Sequence, residues 1–280
     1  MCSRRWVIYN YVMVTEILRP QSVQEALKAR SLPHCAYLGG GTWLNASRSE
    51  TPVTLISLEK LGLQGIAADQ GRCVIGASAT LQQVVDHGGV PEAVRSASAL
   101  TASRTLRNMI TIGGELALHP ADSALVPILL ALGAQLSVAG RKKPVSLHAF
   151  LSDRSFAGTS LVLSVSIPEP RRKAAVRAVS RTSHSSRSLV VAASAEALLP
   201  VVVDLRLIVS DCRGSIVRLT KLEAALAGRP LPPRSDVEAA AEAELPQQAD
   251  IHASSQYKAY MTRVLAADVL REMAGGKGVV

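Results

Sequence analysis

Aromatic side chains are scarce in this chain of 280 residues, where Phe, Trp and Tyr together make up 3%. Surfaces that bind nucleic acid use aromatic rings to stack bases, so this shortage argues against that function although the net charge is +9. The densest basic groups, Arg141–Lys143 and Arg171–Lys173, fall at a predicted hairpin tip and in a predicted connector. We therefore expect a solvated basic surface, or contact with an acidic protein, and no nucleic acid.

Cysteines are also few and widely spaced. The four of them, Cys2, Cys35, Cys73 and Cys212, form no C-x-x-C pair. This spacing excludes a local iron–sulfur or zinc cassette and argues against a disulfide framework. The histidines are equally dispersed and lack metal-ligand spacing. We expect buried free thiols in a reducing cytoplasm and no metal site.

Long apolar runs are missing, and so are the common catalytic motifs. No stretch of about 18 apolar residues is present, so we expect no membrane contact. Residues 1–14 lack the apolar core of a signal peptide, and Met13 is an alternative start. There is no G-x-S-x-G elbow and no cluster of acids and bases. We therefore expect no catalytic residue, so that a cofactor carries the chemistry.

Two glycine-rich turns are the strongest features that are present. We call Leu38–Asn45 the first glycine turn and Arg107–Gly114 the second glycine turn; neither is a Rossmann or Walker pattern. Three consecutive glycines exceed the need of a simple turn, since each costs about 0.5–1 kcal/mol in chain entropy. Without a Cβ, their N–H groups can approach a phosphate closely. Thr42 and Thr111 add hydroxyls and Arg107 adds a cation, so the pair predicts a dinucleotide pyrophosphate held between two cradles.

Periodicity and capping signals predict helices and strands that alternate without a βαβ rhythm, which indicates an α+β fold. Ile17–Arg30 is predicted to be a loop entering a helix, with Ser22 as N-cap and Glu25 completing a capping box. Thr80 is predicted to cap a helix over Leu81–Asp86. The proline-rich, charged stretch Pro168–Lys173 is the best domain boundary.

Six segments, in chain order, also match motifs of one known family. They are Leu38–Leu44 (A-G-G-T-D-L), Arg107–Gly114 (R-N-x-x-T-I-G-G), Pro127–Ala134 (P-x-L-L-A-L-G-A), Ser164–Pro168 (S-I-x-I-P), Glu223–Leu231 (E-A-A-L-x-G-x-P-L) and Ser255–Lys258 (S-x-Y-[RK]). The chain thereby resembles the FAD-binding medium subunits of molybdenum hydroxylases, of the xanthine dehydrogenase and carbon monoxide dehydrogenase type. The likeness runs from about Ile17 to about Glu272.

The resemblance implies a domain organisation. An FAD-binding domain of the PCMH/vanillyl-alcohol-oxidase type is expected over residues 13–170, with lobes of about 13–70 and 71–170. A smaller α+β domain, similar to the C-terminal domain of carbon monoxide dehydrogenase flavoproteins, is expected over 174–275.

It also implies a function. A large partner subunit would hold molybdopterin and a small one the [2Fe-2S] clusters, from which electrons pass through FAD to NAD or another acceptor. Two alternatives stay open, a stand-alone FAD oxidase of the vanillyl-alcohol oxidase type and a scaffold without flavin.

The resemblance further implies the residues that contact the cofactor. Trp43 stands where the family has an acidic or polar residue, and Glu115 stands where Asn is common. The implied cofactor-binding residues are Tyr37, Leu38, Gly39, Gly40, Gly41, Thr42, Trp43, Leu44, Arg107, Asn108, Thr111, Ile112, Gly113, Gly114, Glu115, Asp122, Val162 and Arg177.

Overall fold

The computed structural model describes residues 13–46, 51–68, 71–182, 185–211, 213–241 and 249–275. Its strands are β1 (Val14–Leu18), β2 (Cys35–Leu38), β3 (Val53–Ser57), β4 (Ile66–Ala68), β5 (Cys73–Gly76), β6 (Gln135–Val138), β7 (Val145–Ser146), β8 (Val162–Ile167), β9 (Lys173–Ser180), β10 (Arg187–Ala195), β11 (Arg206–Asp211) and β12 (Ile216–Arg218). Its helices are α1 (Val23–Arg30), α2 (Thr42–Ala46), α3 (Leu81–Asp86), α4 (Glu92–Thr101), α5 (Arg104–Arg107), α6 (Ile112–Leu118), α7 (Leu125–Ala131), α8 (Leu147–Ser152), α9 (Arg154–Thr159), α10 (Thr220–Leu226), α11 (Arg234–Ala241) and α12 (Ser255–Met273).

The described strands form three sheets. The first has the order β1-β3-β2 and is parallel. The second, β4-β5-β8-β6-β7, and the third, β12-β11-β10-β9, are antiparallel. This mixture of helices and strands confirms the predicted α+β class. Strand β4 pairs with β5 and therefore lies on the second sheet.

Each sheet has its own apolar core, and β10 contributes to two of them. Val190 and Ala192 pack with the core of the second sheet, whereas Val191 and Ala193 pack with the core of the third sheet, which includes α12. Alternate strand residues point to opposite faces, so the run Leu189–Ala193 in the middle of β10 is apolar on both faces. A buried hydrogen bond of 2.6 Å from Ser194 Oγ to the carbonyl of Ala131 joins β10 to α7. The division of the chain into domains near residue 170 stays a prediction.

Two local expectations need correction. Ile17 lies in β1, which pairs with β3, and not in a loop. The strand escapes periodicity because it is an edge strand exposed along most of its length. Ser22 caps α1 as predicted, but Glu25 accepts from the N–H of Gln21 instead of Ser22, so the capping box is incomplete. The box at Thr80 is complete.

Two of the four cysteines lie in the described part of the chain. Cys35 and Cys73 are free and buried, while Cys2 and Cys212 lie outside the described residues. Among the residues with described structure, no helix is both long and apolar enough to cross a membrane. Within the same residues, no three His, Cys, Asp or Glu side chains converge on a possible metal position.

Candidate functional site

A cavity of about 530 Å³ lies where the two glycine turns meet the segment from α9 to β8. That volume is in the range of sites for small molecules and cofactors. Its wall includes Tyr37–Leu44 and Thr111, Gly113, Gly114, Glu115 and Val162, all of them predicted from the sequence. The other lining residues are Arg30, Ala36, Leu58, Ala77, Ile110, Ala117, Leu118, Pro120, Ala157, Gly158, Ser160 and Leu161.

The first glycine turn carries the free backbone donors of this cavity. It leads from the end of β2 into α2, and Gly41 adopts a left-handed conformation with φ +70°. Within the described part of the chain, the N–H groups of Gly39, Gly40 and Gly41 donate to no protein acceptor. Unpaired N–H groups on consecutive residues form a concave site for an anion. The first glycine turn therefore fits one side of a pyrophosphate.

The second glycine turn is used differently. Its residues begin α6, and the N–H groups of Ile112 and Gly113 donate to the carbonyls of Ala79 and Ala77 at 2.9 and 2.8 Å. The N–H of Gly114 donates to Thr111 Oγ1 at 3.2 Å, which caps the helix. A Cβ on Gly113 would lie 2.8 Å from the carbonyl oxygen of Ala77. Glycine is needed here because α6 packs closely on the backbone, and the turn supplies the cavity wall more than free donors.

The two turns also touch each other. A Cβ on Gly40 would lie 1.6 Å from the carbonyl oxygen of Met109, and one on Gly39 would lie 2.7 Å from Thr111 Oγ1. The space at Gly40 cannot hold a Cβ, and a Cβ on Gly39 would require the Thr111 hydroxyl to move. The absence of a Cβ at Gly39 and Gly40 thus sets how closely the two glycine turns, which line the cavity, approach each other.

Three buried polar atoms of the lining have no partner among the described residues: Arg30 Nε, Tyr37 Oη and Glu115 Oε1. The Arg30 guanidinium also lies 5.9 Å from the centre of the Tyr37 ring. A buried polar atom left unpaired costs about 1–3 kcal/mol. A ligand with hydrogen-bonding groups and negative charge relieves this cost. The lining residues fit FAD, with Arg30 and the first glycine turn suited to its phosphates.

Glu115 is unusual among the lining residues because it is an acidic residue that is only 4% exposed. Burial raises the pKa of its carboxyl to about 7; the Ser123 hydroxyl opposes the shift by hydrogen bonding, Asp122 adds to it, and Arg187 opposes it. Burial therefore leaves a large neutral fraction of this carboxyl near neutral pH.

His119, at the end of α6, adopts a left-handed conformation with φ +45°. Burial, followed by the nearby cation of Arg154, lowers the pKa of its imidazole. This histidine is consequently neutral at neutral pH.

Two predicted residues of the second glycine turn, Arg107 and Asn108, lie outside the cavity lining. Arg107 donates to the carbonyls of Ala102 and Ala99 at 2.6 and 2.9 Å and to Gln82 Oε1 at 3.0 Å. It thereby ties α5 to α4 and α3, and it does not line the cavity. Asn108 follows α5 as its C-cap.

Three other predicted residues also lie outside the lining. Ile112 is fully buried in the core of the second sheet. Asp122 accepts from Arg187, through its backbone carbonyl at 2.6 Å and its carboxylate at 3.2 Å. Arg177, on β9, forms an ion pair with Glu272 at 2.8 Å.

The sequence analysis missed Arg30 and the segment from Ala157 to Leu161. Arg30 is the last residue of α1 and carries no local signal, because only the packing of α1 beside β2 brings it to the cavity. Ala157 and Gly158 form a small-residue pair at the end of α9. Two adjacent small residues leave room for a ligand, so this pair is the sequence signal that could have indicated the segment.

Comparison with known proteins identifies a family model and a curated relative that match this chain. The model of the family described as "FAD binding domain in molybdopterin dehydrogenase" matches residues 13–170. The chain is 35% identical over 264 residues to the uncharacterized protein YgfM of Escherichia coli (strain K12), covering 92% of this chain and 95% of that protein.

Solved structures show the same fold. Quinoline 2-oxidoreductase from Pseudomonas putida 86 superposes with a TM-score of 0.83 at 21% identity, over 96% of this chain and 98% of that one. Carbon monoxide dehydrogenase from Hydrogenophaga pseudoflava gives 0.82 at 20% identity, over 96% and 99%. Together with a cavity that fits the cofactor, the match over more than half of the chain shows that this protein belongs to the FAD-binding domain family of molybdopterin dehydrogenases, a family of oxidoreductases.

Proposed function

We propose that this chain is the electron-transfer subunit of a multi-subunit molybdenum hydroxylase and holds FAD in the cavity between its glycine turns. The observation that carries the proposal is the set of donors there that have no partner in the described structure, the N–H groups of Gly39–Gly41 and the Nε of Arg30. FAD, when bound, supplies both one-electron and hydride chemistry.

The residues of the chain bind and orient the cofactor. The N–H groups of the first glycine turn and the Arg30 cation hold the diphosphate. Gly113 and Gly114 have no side chains that would occupy the opposite side of the cavity. Val162, buried at the start of β8, forms an apolar contact surface. Trp43 is 53% exposed at the rim and shields one edge of the cavity from water.

We also propose that the [2Fe-2S] clusters and molybdopterin belong on separate subunits. Solved proteins of this fold include molybdenum enzymes such as the carbon monoxide dehydrogenases. We propose that electrons arrive from the [2Fe-2S] subunit and leave for NAD or another acceptor, in the cytoplasm.

The cofactor assignment is tested by Arg30→Gln, with Lys28→Gln on the exposed face of α1 as the matched control. Loss of one charged hydrogen bond to a phosphate costs about 1.5–3 kcal/mol, which is roughly a 10- to 100-fold weaker FAD affinity. Titration of FAD into the cofactor-free protein, followed by flavin fluorescence, measures this change. Equal affinities for both variants would place the diphosphate elsewhere, and release of FMN instead of FAD on heating would refute the dinucleotide.

The subunit role is tested by reconstitution. The isolated flavin-loaded chain should oxidise NADH with an artificial dye, because that reaction needs only the flavin. Hydroxylation of a purine or an aldehyde should require the molybdopterin and iron–sulfur chains. Turnover of such a substrate by the single chain would favour a stand-alone oxidase, and a folded chain that binds no flavin would favour a scaffold.

A further inference from the structure

Glu115 places a carboxyl in the wall of a cavity whose cofactor carries two negative charges. It follows Gly114 directly on α6, it is 4% exposed, and its Oε1 has no partner in the described structure. An ionised carboxylate in this wall would lie in the same cavity as the negative charge of the cofactor, and no cation among the described residues is hydrogen-bonded to its Oε1. A protonated carboxyl has no charge and can donate a hydrogen bond to the cofactor.

The charged and titratable groups around Glu115 come from several elements of the fold. Helix α6 packs against β5, β8 and α9, and residues of the loop before α7 and of β10 also influence the carboxyl. Strand β8 carries no titratable side chain. The groups on the remaining elements and in the lining are His119, Cys73, Arg154, Asp122, Arg187, Arg30 and Tyr37.

We propose that FAD binding is coupled to the uptake of one proton by Glu115, so that the protein holds FAD with this carboxyl neutral. The proton comes from the solvent and adds to the Glu115 carboxylate, and no covalent bond of FAD changes. The physical reason is twofold. FAD displaces water from a carboxyl that is already buried, and its phosphates add negative charge nearby; both changes disfavour the ionised form.

The coupling has a predictable size because linkage relates affinity to protonation. The Glu115 pKa of about 7 in the free protein means that the carboxyl is half ionised near that pH. If bound FAD keeps it protonated, the dissociation constant rises up to tenfold per pH unit above this point, or about fifteenfold between pH 7 and 8.5. The lowered pKa of His119 keeps it neutral in that range, and the raised pKa values of Tyr37 and Cys73 keep both groups protonated.

The test is calorimetric titration of FAD into the full cofactor-free chain, in phosphate and in Tris at the same pH near 8. A difference between the two observed enthalpies counts the protons exchanged with the buffer. We expect uptake approaching one proton for the wild type and for Glu92→Gln, an exposed carboxyl at the start of α4. We expect no uptake, and an affinity changing less than about twofold from pH 7 to 8.5, for Glu115→Gln.

Equal wild-type enthalpies in both buffers, or proton uptake that persists in Glu115→Gln, would overturn the inference. If Glu115→Gln does not fold, Asp122→Asn tests the same point, since loss of the neighbouring negative charge should move the onset of weakening to lower pH; an unchanged onset would count against the inference. The inference rests on FAD occupying this cavity. Absence of any FAD binding would refute that proposed function, whereas binding without proton uptake would refute the coupling alone.

Discussion

Replacement of Gly40 by Ala tests the contact between the two glycine turns. A Cβ there would lie 1.6 Å from the carbonyl oxygen of Met109 and 2.5 Å from its carbonyl carbon. Both are backbone atoms, so they cannot rotate away as a flexible side chain would. An ordinary carbon–oxygen contact is about 3.2 Å or more, and the turns must therefore move apart by roughly 1.5 Å.

Gly114→Ala is the matched comparison. Its Cβ would meet only Thr111 Oγ1, at 3.0 Å, and would otherwise enter the cavity. Overpacking of the kind caused by Gly40→Ala costs about 1–3 kcal/mol or more. Alanine within a helix such as α6 is favoured over glycine by about 0.5–1 kcal/mol. The two variants should therefore differ by about 3 kcal/mol in the free energy of unfolding.

Thermal unfolding of the cofactor-free protein, followed by circular dichroism, measures this difference. For a chain of this size, about 3 kcal/mol corresponds to roughly 6–12 °C in Tm. Gly40→Ala should unfold at a lower temperature than the wild type, while Gly114→Ala should unfold at the same or a slightly higher temperature and lose FAD affinity. A Gly40→Ala protein as stable as the wild type would refute the contact between the turns.

Three further outcomes follow from buried charges. The pKa of the Glu115 carboxyl rises from the reference value of 4.5 to about 7 on folding, so the folded protein holds this proton more tightly than the unfolded chain. Raising the pH through this range should therefore remove about 3 kcal/mol of stability. Urea midpoints at pH 5 and 8 should show this loss in the wild type and not in Glu115→Gln. Arg187→Ala leaves three backbone carbonyls without their donor and should lower the urea-derived stability by about 3 kcal/mol. Lys258→Met removes the buried cation beside Asp211 and Asp250 and should cost about 3–5 kcal/mol of stability at neutral pH. Part of this stability should return in acid, as the two carboxylates protonate. Scanning calorimetry at neutral and acidic pH measures the effect, and a variant with the Tm of the wild type at neutral pH would contradict it.

Local features of the sequence were sufficient for elements with strong local signals. Cys35–Leu38 and Val53–Ser57 are short, largely apolar runs bounded by turn residues, as is typical of strands, and both are strands in the structure. Thr80 caps α3 through a complete capping box because both halves of that motif lie within four residues. The glycines likewise marked the cavity, because consecutive glycines have few other uses.

The different roles of the two glycine turns depend on tertiary contacts. From the sequence both turns qualify as phosphate cradles, yet Ala77 and Ala79 accept the N–H groups at the start of α6. Those acceptors lie more than 30 residues away along the chain, and no local pattern reports them. The free donors consequently remain on the first glycine turn.

The sequence by itself determined the family, the α+β class and most of the predicted residues that line the cavity, because motifs and capping signals are local properties of the chain. The tertiary structure alone brought Arg30 to the cavity from the end of α1. It also buried Glu115, since exposure depends on how α6 packs against β5, β8 and α9. Charge and burial at one point are sums over distant segments, and for that reason the protonation of this site could be derived only from the folded chain.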